Sequence, residues 1–196
     1  GPYHIDCFDL AMKSQATLDT LQLQYLYGSG YPFTVVLGAF FVLLLKPFGI
    51  SDPIFAVNFM SVVFGSLCVP ALYAVSRKLT NEVAALFSAA MLSVIPVFLG
   101  VSVYGKNHAP SLFFLLISIN FLFRYAQQKN VADIICGGIS LGLLGATRSQ
   151  DLIFMLPALC YIYFYSPVTA DNFFADKNKK RALQHFILLW SLAGVI

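Results

Sequence analysis

What most constrains this chain is the way its charge is segregated. Residues 54–76 and 83–104 contain no Asp, Glu, Lys or Arg, and neither do 107–123 or 152–170. Residues 131–147 carry one, Asp133, near their beginning, and 182–196 start a further apolar run. A helix needs about 20 mainly apolar residues to cross roughly 30 Å of hydrocarbon. These blocks predict five complete spans and part of a sixth. Composition agrees, with 59% of residues apolar, 11% charged and a mean hydropathy of +0.78. A soluble domain carries roughly 45–50% apolar and 25% charged residues. Twelve Lys/Arg and nine Asp/Glu cannot cover a water-facing surface. A soluble globular domain, a disordered chain and a nucleic-acid binder are excluded. The fold class is all-α, a polytopic membrane protein embedded in the lipid bilayer.

The sequence opens Gly1-Pro2-Tyr3 and stops at Ala193-Gly194-Val195-Ile196 inside an apolar run, with no signal-peptide pattern before the first block. This reads as an internal piece of a longer chain. Cysteines 7, 68, 136 and 160 have no metal or disulfide spacing, and three lie in apolar segments as small hydrophobes.

The basic residues give an orientation. Arg77 and Lys78, then Arg124 and Lys129, then Lys177, Lys179, Lys180 and Arg181 occupy alternate connections and mark the cytoplasmic side. The opposite connections hold Lys46, Lys106 and Arg148. Residues 33–45 are too short for an ordinary span and fall in the interfacial or re-entrant range. Placing them in the interface puts the N-terminal segment outside. There, Ala11, Met12, Leu18, Leu21 and Tyr25 follow Phe8 at roughly helical spacing, which predicts an amphipathic helix. Asp6 and Asp9 suit its positive end, and Gly28-Ser29-Gly30 ends it. The chain thus divides into 1–53, an external loop with two amphipathic or juxtamembrane helices, and 54–196, a transmembrane helical domain. Pro70, Pro96 and Pro157 predict kinks in their spans.

The unusual polar residues fall on the external side: His4 and Asp6, Tyr27 and Tyr31, Lys106-Asn107-His108, and Arg148 with Asp151. Ionisable groups at membrane depth mark a functional site by default. An acid, two cations and a histidine on one face suit a reaction of an anionic, lipid-linked substrate at the membrane surface. Asp6 takes a proton, while Lys106 and Arg148 hold a phosphate that becomes more negative on leaving.

At these residues the chain resembles polytopic glycosyltransferases of the GT-C fold, in the protein O-mannosyltransferase and aminoarabinose-transferase branch (glycosyltransferase family 39-like). His4-Ile5-Asp6-Cys7-Phe8-Asp9-Leu10-Ala11 resembles the family's first external loop. Tyr31-Pro32 and Phe48-Gly49 resemble the bounds of its juxtamembrane helix. Ser76-Arg77-Lys78-Leu79 is similar to a cytoplasmic turn, and Ser102-Val103-Tyr104 with Ala109-Pro110-Ser111-Leu112-Phe113-Phe114 to the second external loop. Gly142-Leu143-Leu144-Gly145-Ala146-Thr147-Arg148 resembles a Gly-x-x-x-Leu-Thr-Arg stretch. Two departures stand out: Cys7 where the family often has Glu, and His108 where the second loop usually has Asp. The second removes a carboxylate from any metal site, although a histidine can itself ligate a divalent metal ion or donate to phosphate. The resemblance implies inverting transfer of a sugar from a polyprenyl- or dolichyl-phosphate donor to a protein or lipid acceptor on the external or lumenal face. It implies Asp6 as general base, Lys106, His108 and Arg148 as substrate-binding groups, and Tyr31 as a hydrogen-bond donor. The membrane would be a prokaryotic plasma membrane or a eukaryotic endoplasmic reticulum.

Each residue also has a plainer role. Asp6 suits a helix N-cap, Lys106 an interfacial lysine snorkelling to headgroups, His108 a cap of the following helix, and Arg148 a surface pair with Asp151. Tyr25, Tyr27 and Tyr31 fit an aromatic belt. Two other classes compete with the enzyme: a multi-pass transporter or lipid flippase, and a non-catalytic membrane scaffold. Transport needs polar groups near the bilayer midplane, and the span centres hold little beyond Asn58, Ser93 and Asn120.

Overall fold

The structure is a computed structural model that describes residues 5–26, 31–128 and 130–158. Among these the chain is all-α, and three stretches are long and apolar enough to cross a bilayer: Pro53–Leu79, His108–Gln128 and Val131–Ala158. It is a polytopic membrane protein. Large apolar side chains stay outside its packed interior, among them Val83, Leu86, Phe87 and Val97, as lipid-facing helices require.

Helix α1 (Ile5–Thr20) and helix α2 (Pro32–Leu45) precede the first of these stretches, α3 (Pro53–Leu79). The Asp52 side chain caps α3 by accepting from the Ile54 N–H at 2.9 Å, and Pro53 takes the first helical position, where no N–H is needed. At about 1.5 Å per residue its 27 residues exceed the hydrocarbon thickness. Pro70 lies within this continuous helix. Asn81 and Asn130 cap α4 (Glu82–Val94) and α7 (Val131–Arg148) in the same way.

The span expected at 83–104 is not one rod. It is α4 followed by α5 (Pro96–Val103), bent by 61°. Pro96 bars the α conformation at Ile95, whose backbone is extended (φ −67°, ψ 119°), and the helix restarts on the proline. The spans expected at 131–147 and 152–170 are joined differently as well. Backbone at Arg148 is extended (φ −161°, ψ 94°), a 3-10 turn covers Ser149–Phe154, and residues 155–158 are helical again. The rest of 152–170 and the run at 182–196 lie outside the described residues.

Helix α6 (His108–Gln128) packs between α3 and α7. Phe64, Phe113 and Phe114 interlock at the α3–α6 contact, with ring centroids 5.4 to 5.7 Å apart. Leu115, Leu141, Leu144 and Met155 form a second core between α6 and α7. Helix α1 lies on α2 and α3. Its buried face is Cys7, Leu10, Ala11 and Ser14, whereas Phe8 and Met12 are exposed. The helix ends at Thr20, before the expected Gly28-Ser29-Gly30, because Leu21 turns left-handed (φ 54°), and Leu21 and Tyr25 lie exposed beyond it. The face expected from the sequence is therefore rotated. What sets it is the close approach of α2, where Ser14 fits against Gly38 and donates to the Val35 carbonyl at 3.3 Å. Asp6 also departs from expectation: it stands in the first turn of a helix that already begins at Ile5, not at the N-cap.

The charged residues sort to two ends of the bundle. Arg77, Lys78, Arg124 and Asp133 lie where α3 and α6 finish and α7 begins. Asp6, Lys106, His108, Arg148 and Asp151 lie at the other end.

Candidate active site

Five pieces of chain meet at that second end: the first two turns of α1, Leu26, the residue before α2, the loop 104–107 with the start of α6, and the end of α7 with the 3-10 turn that follows it. They form a half-open cavity of about 220 Å³ lined by Asp6, Leu10, Leu26, Tyr31, Gly105, Lys106, Asn107, His108, Arg148 and Gln150. Asp6, Tyr31, Lys106, His108 and Arg148, the five residues given site roles in the sequence, therefore line one space, whereas His4 and Tyr27 lie outside the described residues.

Lys106 Nζ is 3.2 Å from Asp6 Oδ2, and both side chains are largely shielded from solvent. Lys106 is thus drawn inward to a carboxylate and does not snorkel. Across the cavity, Arg148 Nη1 lies 2.7 Å from His108 Nδ1. Arginine has only donors, so Nδ1 accepts, and the proton of the neutral imidazole sits on Nε2. His108 is the first residue of α6 and is spent on this contact rather than on a backbone cap. The same guanidinium stands 3.5 Å from Asp151 Oδ1, while Ser111 Oγ donates to Asp151 Oδ2 at 2.5 Å. The expected Arg148–Asp151 pair exists, and it holds the arginine at the cavity wall.

Tyr31 reaches the cavity through strain. Its backbone is left-handed (φ 57°, ψ 48°), a region that non-glycine residues seldom occupy, immediately before Pro32. Such a conformation costs about 1–3 kcal/mol and persists where the surroundings enforce it, often at functional sites.

Sequence reasoning missed the residues that hold the loop. Asn58 Oδ1 accepts from the Gly105 N–H at 2.7 Å and from the Cys7 thiol at 3.0 Å. The Ser61 hydroxyl accepts from the Lys106 N–H at 3.2 Å and donates to the Lys106 carbonyl at 3.4 Å. Gly105 leaves no room for a side chain, since a Cβ there would stand 2.5 Å from Val57 Cγ2 and 3.0 Å from the Val57 backbone carbonyl carbon. Asn107 Nδ2 and Thr34 Oγ1 both donate to the Thr147 carbonyl, tying the loop and α2 to the end of α7. The available signal was Asn58 and Ser61 three residues apart on one face of an apolar span, where polar groups must find partners within the protein. Burial pushes the Cys7 thiol above its ordinary pKa.

Among the described residues, the donor set does not suit a divalent metal ion. No three His, Cys, Asp or Glu side chains converge among the described residues. His108 Nδ1 is turned to Arg148 and the Asp6 carboxylate to Lys106.

Fold and site define a polytopic all-α membrane protein in which Asp6, Lys106, His108 and Arg148 gather around a cavity at one end of the bundle. The family model for dolichyl-phosphate-mannose-protein mannosyltransferases matches residues 33–193, and the chain belongs to that family of GT-C-type membrane glycosyltransferases. Lys106, His108 and Arg148 lie inside the matched stretch; Asp6 and Tyr31 precede it. No curated protein and no solved structure matches the chain significantly.

Proposed function

We propose that this chain carries the catalytic centre of an inverting glycosyltransferase. It moves a sugar from a polyprenyl- or dolichyl-phosphate donor to a hydroxyl or amine of a protein or lipid acceptor, on the external or lumenal face. The observation that carries the reading is the convergence of Asp6–Lys106 and His108–Arg148 on one cavity. Helices α1 and α2 lie in the membrane interface, so the reacting phosphate sits at headgroup level while its lipid chain stays among the spans.

The acceptor atom attacks the anomeric carbon from the side opposite the phosphate. The new C–O or C–N bond forms as the bond from that carbon to the phosphate oxygen breaks. The electron pair leaves with the lipid phosphate, and the acceptor's proton passes to the Asp6 carboxylate. Because the phosphate departs as a more highly charged anion, positive charge beside it lowers the barrier and no general acid is required. Lys106 and Arg148 supply that charge. His108 Nε2–H and the Tyr31 hydroxyl donate to phosphate oxygens. In the free protein Lys106 neutralises Asp6, so a bound phosphate competes for the ammonium and leaves the carboxylate ready to accept a proton.

The test uses membranes containing the full-length protein, wild type or Asp6→Asn at matched levels, supplied with labelled polyprenyl-phosphate sugars. Transfer by wild type alone supports the reading. Equal transfer by both reduces Asp6 to a helix-end charge. Failure of wild type with every donor favours a transporter or scaffold, for which the bend at Pro96 is the feature in favour.

A further inference from the structure

Asp6 and Lys106 come from elements far apart in sequence, and each sits where backbone is least constrained. Asp6 is in the first turn of a helix and Lys106 in a short loop. Helix ends and loops open with little free energy unless something ties them down. A proton acceptor needs hydrogen-bond reach of about 2.6–3.2 Å, so something must fix both backbones together.

The residues adjoining this pair share one anchor. Cys7 follows Asp6 and donates to Asn58 Oδ1 at 3.0 Å; Gly105 precedes Lys106 and donates to the same oxygen at 2.7 Å. An amide oxygen has two lone pairs, and these two donors occupy both. The contacts close a ring that runs Asp6, Cys7, Asn58, Gly105, Lys106 and back to Asp6 through the 3.2 Å ion pair. Its fixed side is the second turn of α3, the 27-residue helix that packs against α1, α2, α4, α5 and α6. Cys7 is fully buried, and Ser61, on the next turn of α3, binds both backbone groups of Lys106. Among the described residues, no other side chain is hydrogen-bonded to both of these neighbours.

We propose that Asn58 is a positioning residue for the transfer reaction. It sets the separation between the Asp6 carboxylate and the Lys106 ammonium by holding α1 and the 104–107 loop to α3 at one atom. The inference rests on the roles given above to Asp6 and Lys106. It adds a group outside the cavity lining on which those roles depend.

The experiment has two arms on the full-length protein in detergent micelles: amide hydrogen exchange across 101–108, and transfer kinetics. Asn58→Leu removes the acceptor at similar volume, and Asn58→Asp retains it. For Asn58→Leu, exchange at the Gly105 and Lys106 amides rises at least tenfold. Because a displacement of about 1 Å at a reacting pair costs about 10²-fold in rate, kcat falls between about 10- and 100-fold while the donor KM stays within about twofold. Asn58→Asp returns both readouts to within about threefold of wild type. In a Lys106→Met background, Asn58→Leu adds less than about twofold, since the two changes act on one contact and are not additive. A monodisperse size-exclusion profile for each variant shows that the fold is kept.

Unchanged exchange in Asn58→Leu overturns the proposal. So do faster exchange with unchanged kcat, and a full multiplicative loss in the Lys106→Met background, which is the mark of general destabilisation. If wild type transfers no sugar, the functional reading fails separately, and exchange alone decides whether Asn58 holds the two backbones in place.

Discussion

At the bundle end opposite the cavity, Arg124 Nε pairs with Asp133 Oδ1 at 3.2 Å, and the partners are unequally placed. Asp133 is 3% exposed and Arg124 is 43% exposed. Among the described residues Asp133 Oδ2 has no hydrogen-bond partner; Arg124 is the cation in direct contact with the carboxylate, with Lys78 acting on it at longer range. Removing the exposed partner is therefore the more damaging change. Arg124→Leu strands the buried carboxylate, and breaking a buried pair in this way costs about 3–5 kcal/mol. Asp133→Asn removes the buried charge itself, while the arginine can extend to water along its aliphatic stem. What is lost is a half-exposed ion pair and some hydrogen bonding, about 1–2 kcal/mol. Replacing both with leucine leaves no charge to compensate, so the double variant is more stable than Arg124→Leu alone. Unfolding of purified protein in mixed micelles, titrated with denaturing detergent, measures the three midpoints. Equal losses for Arg124→Leu and Asp133→Asn, or a double variant weaker than Arg124→Leu, would refute the argument that burial of the carboxylate decides the energetics.

Other predictions concern the cavity. In Gly105→Ala the new Cβ meets Val57 side chain and backbone at 2.5 and 3.0 Å, which costs about 1–3 kcal/mol in overpacking. The loop lifts and transfer falls about 10²-fold; adding Val57→Ala restores only part of it, because the backbone contact remains. Arg148→Met, by losing a charged hydrogen-bond donor worth about 1.5–3 kcal/mol, raises the donor KM about tenfold or more. Arg148→Lys gives an intermediate KM, since an ammonium keeps the charge but lacks the planar fork of donors that a guanidinium presents to a phosphate. Cys7 is buried with a raised pKa, so less thiolate is present at any given pH than for a free cysteine. Maleimide labelling of Cys7 at neutral pH, read by mass spectrometry, runs at under about a tenth of the rate in denatured protein. Labelling at the denatured rate would place that face of α1 in solvent.

Much of this architecture was legible because a bilayer makes spanning a local property. Each helix satisfies its own backbone hydrogen bonds, so segment length, apolarity and basic flanks carry the information. That logic found the helices at 54–76, 107–123 and 131–147 and sorted the charged residues to two ends. It also gathered Asp6, Tyr31, Lys106, His108 and Arg148 as one set before any geometry was known. It failed where neighbours decide. The stripe drawn through Phe8 and Met12 lost to the Cys7–Leu10–Ser14 face because Gly38 admits α1 so closely. The apolar block 83–104 divided because Pro96 acts on the backbone of Ile95 rather than on hydropathy.

The sequence by itself determined that the chain is all-α, lives in a membrane and carries Asp6, Lys106, His108 and Arg148 on the same side of it. Hydrophobic length and charge placement are properties of each segment alone. Only the tertiary structure decided that Lys106 meets Asp6 and Arg148 meets His108, and that Asn58 in α3 holds the neighbours of the first pair. Those contacts join residues from different helices through distances of about 3 Å. Such distances follow from how the helices pack, to which periodicity within one helix is blind.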